Sequence, residues 1–508
     1  MRLENSDSVE SLIIQVENTF PLNSDNVSNF TDLLTTLFAR LPSLSSDSQE
    51  TMRRASSRVF GMKRCLPAEK QETISKMFCT LHNLTFKQGD THPVKLNDGT
   101  TGEISRDLLA RFFGKELPQT LQLDQLDHHQ FVTLIALLET GEGELINDEN
   151  VHSFLAVGSY FQIPEVISAC SKCFFSTLRG DKSDDVKIVS LLNALQGMKK
   201  AETITKLEEK ISDIFREGLC ETPVSEEFLG RLAYYRENLK TPITLALSFS
   251  PITEDKLTHL QGMPITKLEL FDCKNLTKHV FKVITTLPTI TALELGNNKW
   301  VDDDALLEIP ATISELSLSS CKNFTGQGLA NLTHTNIRRL ILMGCRHLKD
   351  EDLARMKDDL EGVNLSMCIG AGIKTMQRLG QMAVMRDVVL SFTKIPEASL
   401  SYLRTGLFSL DLSDCDTSDA CLDHISKMSE LRQLSLAYSK MTDTGLQRVP
   451  QSVEDANFNG CEGITDVGGI SLAERQQLHN VSLLDCPQIT EATSDALIKA
   501  NKKVQWSR

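Results

Sequence analysis

The sequence predicts an α/β chain whose C-terminal half is a solenoid of stacked strand–turn–helix units, preceded by an α+β module and a helical connector. Three observations predict it. An L-x-x-L-x-L string recurs at a spacing of roughly 22–26 residues from about residue 242. Seven of the thirteen cysteines fall at position 9 of that string. Before residue 242 the pattern changes to a short hairpin signal followed by helical periodicity. The boundaries expected are 1–84, 85–180, 181–241 and 242–508. Of the 508 residues, 41% are hydrophobic and 24% charged, ordinary globular values that exclude a fibrous or wholly disordered chain. A net charge of −15 speaks against nucleic acid, whose binding needs an excess of Lys and Arg, and equally against an anionic membrane surface. Acids and Ser precede a short apolar stretch at the N-terminus, the wrong order for a Sec signal. With the cysteines scattered over the chain, a reducing, cytoplasm-like compartment is expected.

Residues 1–84 begin rich in Ser, Asn and Asp, which predicts partial disorder, and then become helical around ETISKMFCTLHNL. Within 85–180, Val94, Leu96 and the Asp98-Gly99 pair predict a hairpin with a type I′ turn. Leu121 and Leu123 mark another short strand, and helices are expected from about Gln130, Asn150 and Pro164. Thr140-Gly141, the run Tyr160 to Ile163, and Cys170 complete a pattern that resembles the BTB/POZ family. Ser105 stands where that family commonly has His, and RFFGKELPQ is shorter than its counterpart. The resemblance implies contact with a cullin scaffold, or dimerisation, through this module. Phe113 and Glu116 approximate the hydrophobic-x-acid motif that such contacts use. Cys170 and Cys173 lie one helical turn apart with no second pair, so packing and not metal binding is expected of them. Residues 181–241 repeat apolar positions at helical spacing, including Leu207, Ile211, Ile214 and Phe215. They read either as the helical extension that often follows a BTB module or as a cap on the first repeat.

From residue 242, about eleven units can be aligned, with pairs such as Leu268/Leu270, Leu340/Leu342 and Leu410/Leu412 marking one face of a strand. One unit cannot bury that face alone, whereas stacked neighbours bury it continuously. Cys273, Cys321, Cys345, Cys368, Cys415, Cys461 and Cys486 form a column expected to pack and hydrogen-bond the turn backbone. This string resembles the cysteine-containing leucine-rich repeats of F-box adaptors. Combined with the BTB-like module, it is similar to repeat proteins of amoeba-associated chlamydiae, a resemblance that implies an effector role in a host cytosol. Three units without the cysteine, near Pro242, Met385 and Leu431, are about a residue shorter, and a different turn geometry is expected there. VQWSR at the end should cap the last core face.

The sequence offers no phosphate loop, nucleophile elbow or zinc-protease motif, and neither a cofactor nor a metal is expected. Cys421-Leu422-Asp423 matches the Cys-x-Asp string of some bacterial leucine-rich-repeat ubiquitin ligases. It falls within a repeat helix, and the chain is read as a non-enzyme. Positions 5, 7 and 8 of each unit should line a concave face. Most are small and polar, but Ile341, Met343, Met367, Val389, Phe392 and Tyr438 are not, which points to a patch that binds a target protein.

Overall fold

The computed structural model describes residues 91–105, 108, 121–123, 126–140, 146–147, 150–161, 163–177, 183–195 and 202–506. The N-terminal region 1–84, Phe113, Glu116 and Gly141 lie outside them. Two compact units divide the chain at Leu207/Glu208, inside the segment read as a connector. Among the described residues no helix is long and apolar enough to cross a membrane.

In the first unit, β1 (Thr91–Leu96) pairs antiparallel with β2 (Thr101–Ser105) and parallel with β3 (Leu121–Leu123). The hairpin forms, but its turn is not the expected type I′. Only Gly99 is left-handed (φ 79°), and its N–H donates to Leu96 O. Asp98 Oδ1 instead accepts both the Thr100 N–H and its hydroxyl, an Asx-type closure that needs one left-handed residue, not two. Among the described residues four helices follow: α1 (His128–Thr140), α2 (Val151–Tyr160), α3 (Pro164–Thr177) and α4 (Ser183–Ala194). The α1 helix comes close enough to β2 that a Cβ at Gly102 would stand 2.4 Å from the Phe131 ring. Cys170 is fully buried on α3, its thiol 3.7 Å from Val151 O.

The second unit opens with α5 (Glu202–Cys220), which crosses the boundary, and α6 (Glu226–Asn238). Ser225 caps α6 by accepting the Phe228 N–H. Phe215 joins the two helices, with Tyr235 and Phe228 edge-on at 5.3 and 6.1 Å between centroids. A polar stripe of α5 beside the apolar one faces the first repeat strand, β4 (Ile243–Ala246). Glu208 Oε1 accepts the Thr244 N–H at 2.8 Å, Ser212 Oγ accepts the Ala246 N–H at 2.9 Å, and Arg216 donates to Ala246 O at 2.8 Å. Side chains spaced four residues apart thus occupy hydrogen-bonding groups that an open sheet edge would expose.

Twelve parallel strands, β4 to β15, then stack in sequence order among the described residues. Eleven coincide with the aligned units, including β8 (Arg339–Ile341), β9 (Gly362–Asn364), β10 (Asp387–Val389), β11 (Ser409–Asp411) and β12 (Gln433–Ser435). The twelfth, β15 (Lys503–Trp506), forms from the segment read as a terminal cap and extends the sheet. This half is a solenoid of leucine-rich units: Leu268, Leu316, Leu340, Leu410 and Leu434, all at position 4, are buried against their neighbours.

A second ladder runs on the helical side. In seven units an acid accepts hydrogen bonds from the helix start of the next unit: Glu254, Asp303, Asp350, Glu397, Asp419, Asp443 and Asp466. Asp350 accepts four, from the N–H groups of Gly372, Lys374 and Thr375 and from the Thr375 hydroxyl. Partial burial works to raise its carboxyl, but these donors outweigh it and hold Asp350 below the usual carboxylate value. Partial burial likewise opposes the Thr490 and Thr493 donors at Asp466, and again the donors prevail. Because the folded-state values lie below the roughly 3.9 of an unfolded Asp, this stabilisation is complete above about pH 4 and is lost as pH falls through the folded-state values. Asp350→Ala is expected to cost about 2–3 kcal/mol, because the buried Thr375 hydroxyl loses its acceptor. Urea titration at neutral pH measures the loss. The difference between wild type and variant should shrink in strong acid, and a constant difference would contradict the ladder's role.

Candidate functional site

Each unit leaves its strand through the same backbone conformation. Position 8 is left-handed in all eleven aligned units, namely at Phe249, Asp272, Asn297, Ser320, Gly344, Met367, Phe392, Asp414, Tyr438, Gly460 and Asp485. The inter-unit ladder reaches this residue: Met367, Phe392, Asp414 and Tyr438 each donate their N–H to the position-7 carbonyl of the next unit. Side chains at position 8 therefore stand in a row on a ledge where the chain turns off the sheet. The expected difference in turn geometry at the shorter units is absent at this position, since Phe249, Phe392 and Tyr438 have φ of 60°, 58° and 55°.

Residue type does not follow conformation here. Gly, Asn and Asp tolerate the left-handed region, whereas a large side chain there costs about 1–2 kcal/mol. Phe249, Met367, Phe392 and Tyr438 accept that strain and remain 71%, 36%, 49% and 53% exposed. Three of these four belong to the units that lack the cysteine, and each is followed by a hydroxyl residue: Phe249-Ser250, Phe392-Thr393 and Tyr438-Ser439. Ser250 and Thr393 donate to the position-6 carbonyl of their own unit. In seven of the other eight units a thiol reaches back instead, and in the eighth Asn298 does so, donating to Leu270 O at 2.7 Å. All seven position-9 cysteines donate to the position-6 carbonyl of the preceding unit, from Cys273 to Leu247 O at 3.4 Å through Cys415 to Leu390 O at 2.9 Å and Cys486 to Phe458 O at 3.2 Å.

The residues read as a target-binding patch divide between two places. Ile341 and Val389 end β8 and β10 and are half-buried on the sheet face. Met343 lies just beyond β8 and is exposed. Met367, Phe392 and Tyr438 are on the ledge and not on the concave strands, because the left-handed residue swings them outward. Phe113 and Glu116 lie outside the described residues. Missed in the sequence were exposed Ile369, two residues after Met367, Asp414, which interrupts the apolar row, and Phe249, which has the same turn conformation but stands apart from the row at the first unit. The recurring Phe/Tyr-Ser/Thr pair was the available signal for Phe249.

Around this row the surface is polar. A cavity of about 400 Å³ on the sheet face is lined by Asp411, Gln433, Ser435, Asn457, Ser482 and other residues from five strands. A second, of about 460 Å³, lies beside Tyr438 between Asp416, Lys440, Gly460 and Glu462. Arg339 reaches Asp387 two units away at 3.1 Å, passing over Gly362.

Thiol chemistry has a poor setting. Burial pushes Cys321 and Cys368 up to about 12. Burial, then the Glu397 and Asp419 carboxylates, pushes Cys421 up to about 12 as well. A nucleophilic cysteine needs the reverse, exposure and a cationic neighbour. Native alkylation with iodoacetamide near neutral pH should leave Cys421 and the seven ladder cysteines unmodified until the chain is denatured. Peptide mass spectrometry reads this directly, and rapid native labelling of Cys421 would contradict it.

No protein-family model matches the chain, and no curated protein matches it in sequence. Among solved structures, it is similar to the complex of Rad7 and Elc1 from yeast, at 16% identity and a TM-score of 0.39, over 64% of this chain and 92% of that one. It is also similar to an internalin, InlF, of Listeria monocytogenes, at 15% identity and a TM-score of 0.35, over 59% of this chain and 95% of that one.

Proposed function

We propose that this chain is a non-enzymatic adaptor: the solenoid captures a target protein on its ledge, and the N-terminal module recruits a cullin-type ubiquitin ligase or self-associates. One observation carries the capture role. Met367 and Phe392 occupy adjacent left-handed turns with their side chains exposed, so the chain bears both backbone strain and apolar exposure at the same residues. Neither stabilises the fold, and strain retained at an exposed site marks recognition. The N-terminal role rests on the BTB-like order of hairpin, parallel third strand and helices. Delivery into a host cytosol as a bacterial effector is part of this reading, and its support is the sequence resemblance of the domain pairing to chlamydial repeat proteins.

Titration of the full chain with a purified cullin N-terminal domain tests the ligase link, with micromolar binding expected. No binding, together with a dimer in sedimentation analysis, would replace that link with a scaffold that pairs through its first unit. The competing enzyme reading predicts ubiquitin discharge that Cys421→Ala abolishes; none is expected.

A further inference from the structure

We propose that the ledge between Phe271 and Pro396 takes an acidic segment of the target protein that carries an apolar side chain near one end. The inference rests on the ledge being the recognition surface. Two residues beyond the left-handed turn, position 10 holds Lys274, Lys299, Lys322, Arg346, Ile369 and Lys394 in six consecutive units, every one of them exposed. The inter-unit ladder keeps these turns in step, with Asp272 N–H donating to Gly296 O and Met367 N–H to Ser391 O, both at 2.9 Å, at the two ends of the run. Position 10 is tied as well, because the Asn275 and Asn323 side chains donate to the position-10 carbonyls of the preceding units, Pro251 O and Lys299 O. At about 4.8 Å per strand step, the row from Lys274 to Lys394 is about 24 Å long. An extended segment of about eight residues spans it.

Charge selects the partner. The row is basic on a chain whose net charge is −15. Lys299, Lys322, Arg346 and Lys394 make no ion pair among the described residues. Lys274 comes no nearer than 3.8 Å to Asp272, with its own side chain 81% exposed. By contrast Lys267, Lys374 and Lys440 each hold a carboxylate, at 2.8, 2.8 and 2.6 Å. Like charges one strand step apart repel, and an acidic partner relieves that repulsion. Positions 7–12 of these six units contain one acid, Asp272, against the five bases. In the next four units the same positions carry Asp414, Asp416, Glu462 and Asp485 against Lys440 alone. The ledge therefore changes sign just past Phe392, which confines an acidic partner to the first six units. Within that stretch Met367, Ile369 and Phe392 are exposed and apolar, a surface that a peptide side chain can use and a phosphate backbone cannot.

Panning a random dodecapeptide display library against the full chain tests the acidic segment, with wild type, Lys299→Gln/Lys322→Gln/Arg346→Gln and Met367→Asn/Phe392→Asn run in parallel. Wild type should enrich peptides that place several Asp or Glu beside an apolar residue. A synthetic copy of an enriched peptide should bind the triple variant about tenfold more weakly. Its affinity for wild type should fall on going from low salt to about 0.3 M, and that dependence should flatten in the triple variant. The triple variant should unfold at the wild-type urea midpoint or above it, since the lost charges repel one another. Lys374→Gln, which removes a paired base away from the ledge, should bind as wild type does; an equal loss there would reduce the effect to overall charge and overturn the proposal. Enriched peptides without an acidic excess, dependent on Met367 and Phe392 but not on the three bases, overturn the acidic segment and leave the ledge as the recognition surface. Enrichment dependent on neither variant overturns both. Binding of a labelled single-stranded RNA of about 20 nucleotides through the three bases, with no acidic peptide enriched, would make the row a nucleic-acid site instead.

Discussion

Phe215→Ala is expected to destabilise the chain by about 3–5 kcal/mol and to unravel the solenoid from its first repeat. Phe215 is fully buried where α5 meets α6, with two aromatic rings edge-on against it. Removing it leaves a cavity that two short helices cannot collapse to fill. The loss is larger in consequence than in energy, because α5 carries Glu208, Ser212 and Arg216 against the edge of β4. A stack in which each unit touches only its neighbours opens from an end that has lost its cap. Hydrogen exchange should show the Thr244 and Ala246 amides losing protection first, with amides near β12 close to wild type. Ser212→Ala isolates the polar part: the Ala246 N–H loses its acceptor at a cost of about 1–2 kcal/mol while the aromatic contact survives. Uniform loss of protection from β4 to β15 in Phe215→Ala would mean that the repeats unfold as one block and that α5 is no cap.

What the sequence disclosed depends on how locally each feature is encoded. The repeats were legible because position-4 and position-6 leucines must alternate to bury one strand face, and that alternation survives in nearly every unit. The cysteine column was legible for the same reason, as was its bond to turn backbone; that each thiol reaches the unit before it is a property of stacking and has no local signature. The α5 cap was only half legible. Leu207, Ile211 and Phe215 predict a buried stripe, but nothing local to the sequence says that Glu208, Ser212 and Arg216 beside it meet a strand edge. The hairpin turn was misread because Asp98 can close it through its own carboxylate with Gly99 alone left-handed. The ledge was misplaced onto the concave strands because nothing in an L-x-L-x-x-C string announces that its fifth residue is left-handed.

That hidden conformation yields the second large effect: Met367→Asn and Phe392→Asn together should make the chain more stable while abolishing target capture. Both residues sit at φ near 60° with large, exposed side chains. Asn enters the same region at little cost, so each substitution should return up to about 1 kcal/mol, seen as a higher urea midpoint with unchanged slope. Binding moves the other way. Losing two adjacent apolar anchors at the centre of an interface removes about 3 kcal/mol or more, a hundredfold in affinity, for any ligand selected on the wild-type chain. Phe249→Asn supplies the control, since Phe249 has the same backbone conformation but lies six strand steps from Phe392, about 29 Å along the sheet. It should relieve strain, less the contact its ring makes with Phe271 at 5.3 Å, and leave capture intact. Opposed changes in stability and affinity at Met367 and Phe392, absent at Phe249, are what a surface kept for recognition requires. If the double variant instead melts earlier than wild type, those side chains support the fold, and the strain at the turn has been misjudged.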